Sequence, residues 1–385
     1  MTAGSTVARM RSEATAFLQA LPPGQRTRVV VPASARRTAV WFFTPAERDG
    51  LPLVDMDPAD QQRALRLLRS GLSEAGYSLA TYIMGLENYL AYEEGWMDLY
   101  PGRPGHGRSR DPLLYYVKIY GDPASREWGW QFAGHHLVVH AFVENGTVVS
   151  ATPHFIGVNP AVAPSLGRNR FQPLRGEEEI AIELLDTFTD QQRSDAVFDT
   201  IAPADILQGN RPLVDDRALP DPPADLYPAT ADRADVLDFL AQLGLSGHMA
   251  TVADPSGGLV EFSRSAPSQR GLAVATLAPA GQQLVAELLQ HYVLRFPADI
   301  HRDVFGWQAG DALPADLRFA WAGSTQNGVG RYYCFDSAAI SIEFDNTQNA
   351  ANHIHSALRS RRTDFATDVL RAHYFSEHPE SMENK

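Results

Sequence analysis

Four short stretches near the C-terminus constrain the fold most: LRFAWAG (Leu317–Gly323), GRYYCFD (Gly330–Asp336), AISIEFD (Ala339–Asp345) and HIHSALR (His353–Arg359). Each is rich in β-branched and aromatic residues, has a strand's length, and is bounded by turn-forming residues. The pattern predicts an antiparallel meander of four strands. Upstream, GHHLVVHAFVENGTVVSATPHF (Gly134–Phe155) predicts a hairpin about Asn145-Gly146. That dipeptide readily supplies the positive φ angles a two-residue turn needs.

A second pattern recurs between the strands. LPPGQRTRVV from Leu21, DMDPADQQRALRLLRSGL from Asp55, TFTDQQRSDAVFDTI from Thr187 and LAPAGQQLVAELLQHYV from Leu277 share one layout. A Pro, Asp or Thr precedes Gln and then spaced apolar residues, which is a helix-start signature. In the second copy Asp57 is placed to cap, Pro58 takes the first helical position, and Ala64, Leu65, Leu68 and Leu72 form an apolar stripe. The copies are unevenly spaced, which excludes a solenoid; they read as amphipathic helices arising by common physics. Helices grouped with antiparallel strands predict an α+β architecture. Residues 203–232, rich in Pro, Asp and Ala, are expected as a long excursion within a single domain spanning 1–385, because candidate site residues lie on both sides of them.

Composition acts mainly by exclusion. With 44% hydrophobic and 21% charged residues the chain is ordinary globular material. A net charge of −13 argues against nucleic-acid or anionic-membrane partners, which favour a basic face. The lone cysteine, Cys334, excludes an intrachain disulfide and a Cys-ligated structural zinc. No apolar run approaches the roughly 18 residues of a membrane span, and the first residues hold no signal-like segment. The expectation is a cytoplasmic protein acting on a small molecule, with oligomeric state left open. There is no GxGxxG after a strand, no Walker A loop, no GxSxG elbow and no HExxH helix. The Gly-rich PGRPGHGRSR (Pro101–Arg110) is expected as a mobile surface loop.

Two histidine clusters remain. In a strand, His353 and His355 share a face about 6 to 7 Å apart, so two imidazoles can converge on one ion at roughly 2.0–2.1 Å each. Asn346, Gln348, Asn349 and Asn352 are candidates to orient those rings. The second cluster is His135-His136, where strand alternation sends the two rings to opposite faces. His135 falls with Leu137, Val139, Ala141 and Val143; His136 falls with Val138, His140 and Phe142. A turn starting at Gly134 would free either ring, so periodicity leaves both open. His301 and His373 fit helix or loop surfaces. Glu127, Glu343 and Asp345 are the carboxylates nearest the two clusters in sequence.

Several segments, taken in order, resemble one family. They are WFFTPAERDGLPL, QQRALRLLRSGLSEAGY, IMGLENYL, RDPLLYYVKIYGDP, WGWQFAGHHL, PHFIGVNPA and IEFDNTQNAANHIHSALR. Together they resemble the proteins grouped as domain of unknown function 3500, over roughly residues 14 to 212 and 270 to 375. GHH and DNTQN…ANHIHS are the most specific parts. The resemblance implies that these segments form one domain type and that His135, His136, His353 and His355 belong to family motifs. It implies no activity.

Together the clusters predict a metal centre held mainly by neutral imidazoles. Such ligands suit a transition metal ion (Fe, Cu or Zn) better than Mg or Ca. Three functions follow. The first is a metal-dependent oxidoreductase acting on a small organic molecule, favoured by the all-imidazole set. The second is a zinc-dependent hydrolase, and the third a non-catalytic metal- or ligand-binding protein.

Overall fold

The C-terminal meander forms in the predicted order. In the computed structural model Arg318–Gly323, Arg331–Asp336, Ile340–Thr347 and His353–Ser360 pair antiparallel in succession. The structure describes residues 5–34, 40–95, 110–243, 245–248, 251–253, 259–261 and 271–366. Most of the 101–110 loop and His373 lie outside them.

Upstream strands are β1 (Tyr116–Gly121), β2 (Glu127–Gly134), β3 (Leu137–Glu144), β4 (Thr147–Ser150) and β5 (His154–Val158). The meander strands become β6 to β9. Asn145 and Gly146 turn β3 into β4 at φ +50° and +82°, as the dipeptide predicts. The two groups join where β5 pairs antiparallel with β9, giving the order β1-β2-β3-β5-β9-β8-β7-β6 within one thirteen-stranded sheet among the described residues. With its helices the sheet makes the chain an α+β protein.

Most of the helices cover one face. They include α1 (Thr6–Ala20), α2 (Pro23–Val29), α3 (Pro58–Ser70), α4 (Glu74–Glu93), α5 (Arg175–Asp186), α6 (Asp190–Ala196) and α8 (Pro279–Val293), while α7 (Arg233–Gln242) lies among the loops of the opposite face. Each of the four recurring sequence patterns begins a helix. Asp57 accepts from Asp60 N with Pro58 behind it, and Thr189 and Gln192 close a capping box. Met10, Phe17, Leu68, Leu184, Val285 and Leu288 bury against Trp130, Val139, Ile156, Ile354 and Leu358 from the sheet. The opposite face is covered by loops. There Trp41, Phe43, Ile206 and Leu226 pack on Val138, Phe142, Phe155 and Ala357.

The chain builds this arrangement twice. In the first half α1 packs on α3, α2 runs into Val30–Val31, which pairs parallel with β1, and Leu51–Pro52 pairs antiparallel with the same strand. In the second half α5 packs on α8, α6 runs into Val197–Asp199, parallel to β6, and Leu272–Ala273 pairs antiparallel with β6. A 3-10 turn then leads toward α3 in one half and α8 in the other. The four similar helix starts are therefore two copies of an ordered pair, a regularity their uneven sequence spacing hides.

Candidate metal centre

β9 places His353, His355 and Ala357 on the loop-covered face, while Ile354 and Leu358 enter the helix-side core. β5 lies between β9 and β3, and it brings the β2–β3 turn alongside. That turn is His135-His136 itself, closed by the pairing of Gly134 with Leu137. Neither histidine is in a strand, so neither obeys the alternation their neighbours obey. His136 sits at φ +59°, a left-handed conformation uncommon for a non-glycine residue. Its N–H donates to Phe43 O (3.0 Å), and its carbonyl accepts from Gly157 N (2.7 Å). Held on both sides, the ring lies over Gly157, where a Cβ would come within 2.5 Å of His136 Cδ2.

The outcome is a three-imidazole cluster. His136 Nε2 lies 3.0 Å from His353 Nε2 and 3.3 Å from His355 Nε2. Two nitrogens bound at 2.0–2.1 Å to one tetrahedral ion are about 3.3 Å apart. His355 Nδ1 donates to Asp205 Oδ1 at 2.6 Å, which leaves the Nε2 lone pair facing the cluster. A carboxylate on the far nitrogen is the usual support of a metal-bound histidine. Burial, reinforced by the neighbouring histidines, holds His136 well below the ordinary imidazole value. Burial does the same for His353, helped by His355. Both rings are thus kept in the neutral form that ligation requires.

His135 takes a different place. Its ring stacks on His136 with centroids 3.7 Å apart, its Nδ1 lies 2.8 Å from Glu87 Oε1 on α4, and its Nε2 lies 3.1 Å from Arg110 Nη1. Arg110 in turn donates to both carboxylate oxygens of Glu94 (2.8 and 3.1 Å). Burial pushes Glu87 up to about 8, against the pull of Arg110, and pushes His135 down. The structure thus brings His136, His353 and His355 together and sets His135 beside them on Glu87.

Other expectations need correcting. The four amides bond backbone and other polar side chains, Glu178 and Asn159 among them, rather than the imidazole rings. Asn346 accepts from His353 N, Asn352 accepts from Val162 N, Gln348 donates to Ala204 O, and Asn349 donates to Asn159. They hold the 348–351 turn, where Asn349, Ala350 and Ala351 all have φ near +55°. Asp345 accepts from Thr347, and Glu343 accepts from Leu207 N, Gln208 N and Tyr332. The carboxylates that bond the histidines are Asp205 and Glu87, far away in sequence, while Asp345 is the cross-strand neighbour of His355. His301 is buried and hydrogen-bonded to Phe296 O, because its short helix turns it inward.

A cavity of about 110 Å³ opens beside the cluster. Phe43 forms one wall, held in place by Arg48, which donates to Phe42 O, Thr44 O and Gly134 O. Its ring stacks on Phe155 (4.3 Å) and meets His355 edge-on (5.1 Å). The other wall comes from the excursion and α7, with Leu226, Tyr227, Phe239 and Leu240.

The family model described as "Protein of unknown function (DUF3500)" matches residues 3–367. The chain belongs to the DUF3500 family. The match runs through every strand and loop that builds the cluster in this DUF3500 chain, including the 203–232 excursion that supplies Asp205. No curated protein and no solved structure gives a significant match. Among the described residues no helix is long and apolar enough to cross a membrane.

Proposed function

We propose that His136, His353 and His355 bind one transition metal ion, with a further coordination position facing the cavity, and that the centre oxidises a small organic molecule. The observation that carries this reading is the convergence of three Nε2 atoms at ligand-pair spacing from two sequence motifs some two hundred residues apart. A redox-active ion held there would carry electrons from the substrate to dioxygen, the oxidant. The protein's part is to keep the rings neutral, fix His355 through Asp205 and exclude water with aromatic walls. The all-imidazole set suits Fe, Cu or Zn. Asp205 is already committed to His355, so it is not free to act as a base on a bound water. That favours oxidation over hydrolysis.

One observation favours zinc-dependent hydrolysis as a second reading. The Glu87–His135 couple stands directly beside His136 and, once Glu87 ionises above about 8, could accept a proton from water at the centre.

Elemental analysis of untagged protein, with the His353→Ala/His355→Ala double variant beside it, tests the proposal. Stoichiometric metal in the parent and none in the variant is expected; a variant that keeps its metal overturns the assignment. A visible absorption band or paramagnetic signal marks redox chemistry, whereas a colourless zinc protein marks hydrolysis.

A further inference from the structure

The cavity walls carry information that the histidines do not. Phe43, Leu226, Phe239, Leu240, Leu243 and Leu245 make the lining mainly apolar. The charged side chains that do reach it are already satisfied inside the protein. Arg110 is held by both oxygens of Glu94 and lies against His135. Asp205 accepts from His355 (2.6 Å), and Asp221 accepts from Arg211 (2.6 Å). A ligand ammonium buried here would have to break one of these pairs or stay uncompensated, and either is costly; a ligand carboxylate meets the same cost wherever no metal ion is present to take it. Besides the neutral side chains of Thr44, Tyr227, Ser246 and Gln348, the polar surface facing a ligand is the imidazole cluster. The volume, about 110 Å³, is on the scale of the roughly 150 Å³ apolar cavity that accepts benzene.

We propose that this chamber takes a neutral, largely apolar molecule about the size of a single six-membered ring, with its polar atom directed at the imidazole cluster. Leu240 and Phe239 of α7 act as the selecting wall. The inference rests on the reading of the cluster as a functional site, but it concerns the walls and has its own readout. Selection falls to the longer of the two equivalent loops. Residues 32–50 supply Phe43, whereas the 200–271 loop of the second half supplies the leucines and Phe239.

The test is ¹⁹F NMR of fluorobenzene, 4-fluorobenzoate and 4-fluorobenzylammonium with the full chain, as purified and after chelator treatment. Saturable binding of fluorobenzene is expected in both forms, with 4-fluorobenzylammonium roughly tenfold weaker or worse in both, and 4-fluorobenzoate likewise in the chelator-treated form, where no ion takes its carboxylate. Leu240→Trp should abolish fluorobenzene binding while leaving metal content intact; Leu243→Trp provides a second block if the first fails to fold. Absence of saturable fluorobenzene binding, or charged analogues that bind as well to the chelator-treated protein, overturns the proposal. The His353→Ala/His355→Ala variant keeps the two proposals apart. Fluorobenzene binding without metal shows that the walls act alone, and metal binding in the parent without fluorobenzene binding sinks only the ring-sized ligand.

Discussion

The two halves of this chain share a plan but not a task. Each has a helix pair, a short parallel strand, a short antiparallel strand and a strand meander, and they meet along β5 and β9. At the tip joining the second and third strands they part. The first half turns on His135-His136, with His136 at φ +59°. The second half turns through Ser337, Ala338 and Ala339, where Ser337 Oγ accepts from Ala339 N and Ile340 N (both 3.2 Å). The second turn is spent on its own stability. The first carries a left-handed residue, the kind of local strain that persists where surrounding contacts over-determine it and that clusters at functional sites. The second half contributes in another way, by supplying His353 and His355 from its last strand and Asp205 from its longer loop.

The largest effect should follow from breaking the first turn. His136→Ala removes the imidazole that both other rings approach, and metal affinity should fall on the order of a thousandfold, one ligand's share of a tight site. Competition with a chelator of known affinity measures it. Retention within tenfold of the parent would mean that His136 is a packing residue.

Next come residues that touch no ion. Gly157→Ala would drive a methyl group into the His136 ring, which is pinned at both its N–H and its carbonyl. Asp205→Asn leaves His355 without its carboxylate. Each should weaken metal binding by about 10- to 100-fold, the usual cost of losing support behind a ligand. If both variants bind like the parent, the cluster does not depend on its scaffold and the comparison of halves loses its meaning.

Much of this was legible in the sequence. The meander, the Asn145-Gly146 hairpin and the four helix starts follow from local pattern, because turn chemistry and periodicity act over a few residues. The four histidines stood out by spacing and by family motif. What stayed hidden was non-local. Periodicity leaves His135 and His136 open between strand alternation and a turn starting at Gly134, and the pairing of Gly134 with Leu137 decides for the turn. Asp205 lies in a Pro- and Asp-rich stretch with several similar acids, and Glu87 lies on a helix. Nothing local marks either as facing a histidine. Gly157 could have been noticed as a glycine inside an apolar strand, a sign of close approach by another group.

A smaller effect concerns acid. His135, His136 and His353 are all held below the ordinary imidazole value, chiefly by burial. In the unfolded chain they protonate near pH 6.5, while in the metal-free folded protein they resist. Below that pH the unfolded state therefore binds more protons, and folding stability falls as pH drops from about 6.5, by up to ~1.4 kcal/mol per pH unit for each histidine. Metal bound only by the native state adds about 2.7 kcal/mol at a hundredfold excess over Kd, and protons compete for the same nitrogens. The gap between loaded and stripped melting temperatures should be clear at pH 7.5 and narrow only where pH falls to the depressed folded-state values of His136 and His353, well below 6.5. His353→Gln should flatten the acid slope of the stripped protein without abolishing it. His140, held at about 4, and His154 are buried elsewhere and titrate in the same sense. A gap that is absent at every pH counts against histidine ligation.

The smallest effect belongs to the second half's turn, and it sharpens the contrast most. Ser337 is buried, and its hydroxyl satisfies two backbone N–H groups that would otherwise lack that acceptor at the hairpin tip. Its own N–H donates to Ile340 O (3.0 Å), a bond that survives loss of the side chain. Ser337→Ala should therefore cost about 1–2 kcal/mol, since two modest hydrogen bonds go while the turn's backbone closure remains. Ser337 is not among the residues lining the cavity, so metal affinity and fluorobenzene binding should match the parent within error. Urea melts of metal-free protein give the stability change, and chelator competition gives the affinity. The equivalent turn in the first half should show the reverse pattern when His136 is replaced, with a large change in affinity. If Ser337→Ala weakens metal binding as strongly as Asp205→Asn does, the two tips are energetically coupled across the β5–β9 seam. The division between a stabilising turn and a binding turn would then be wrong.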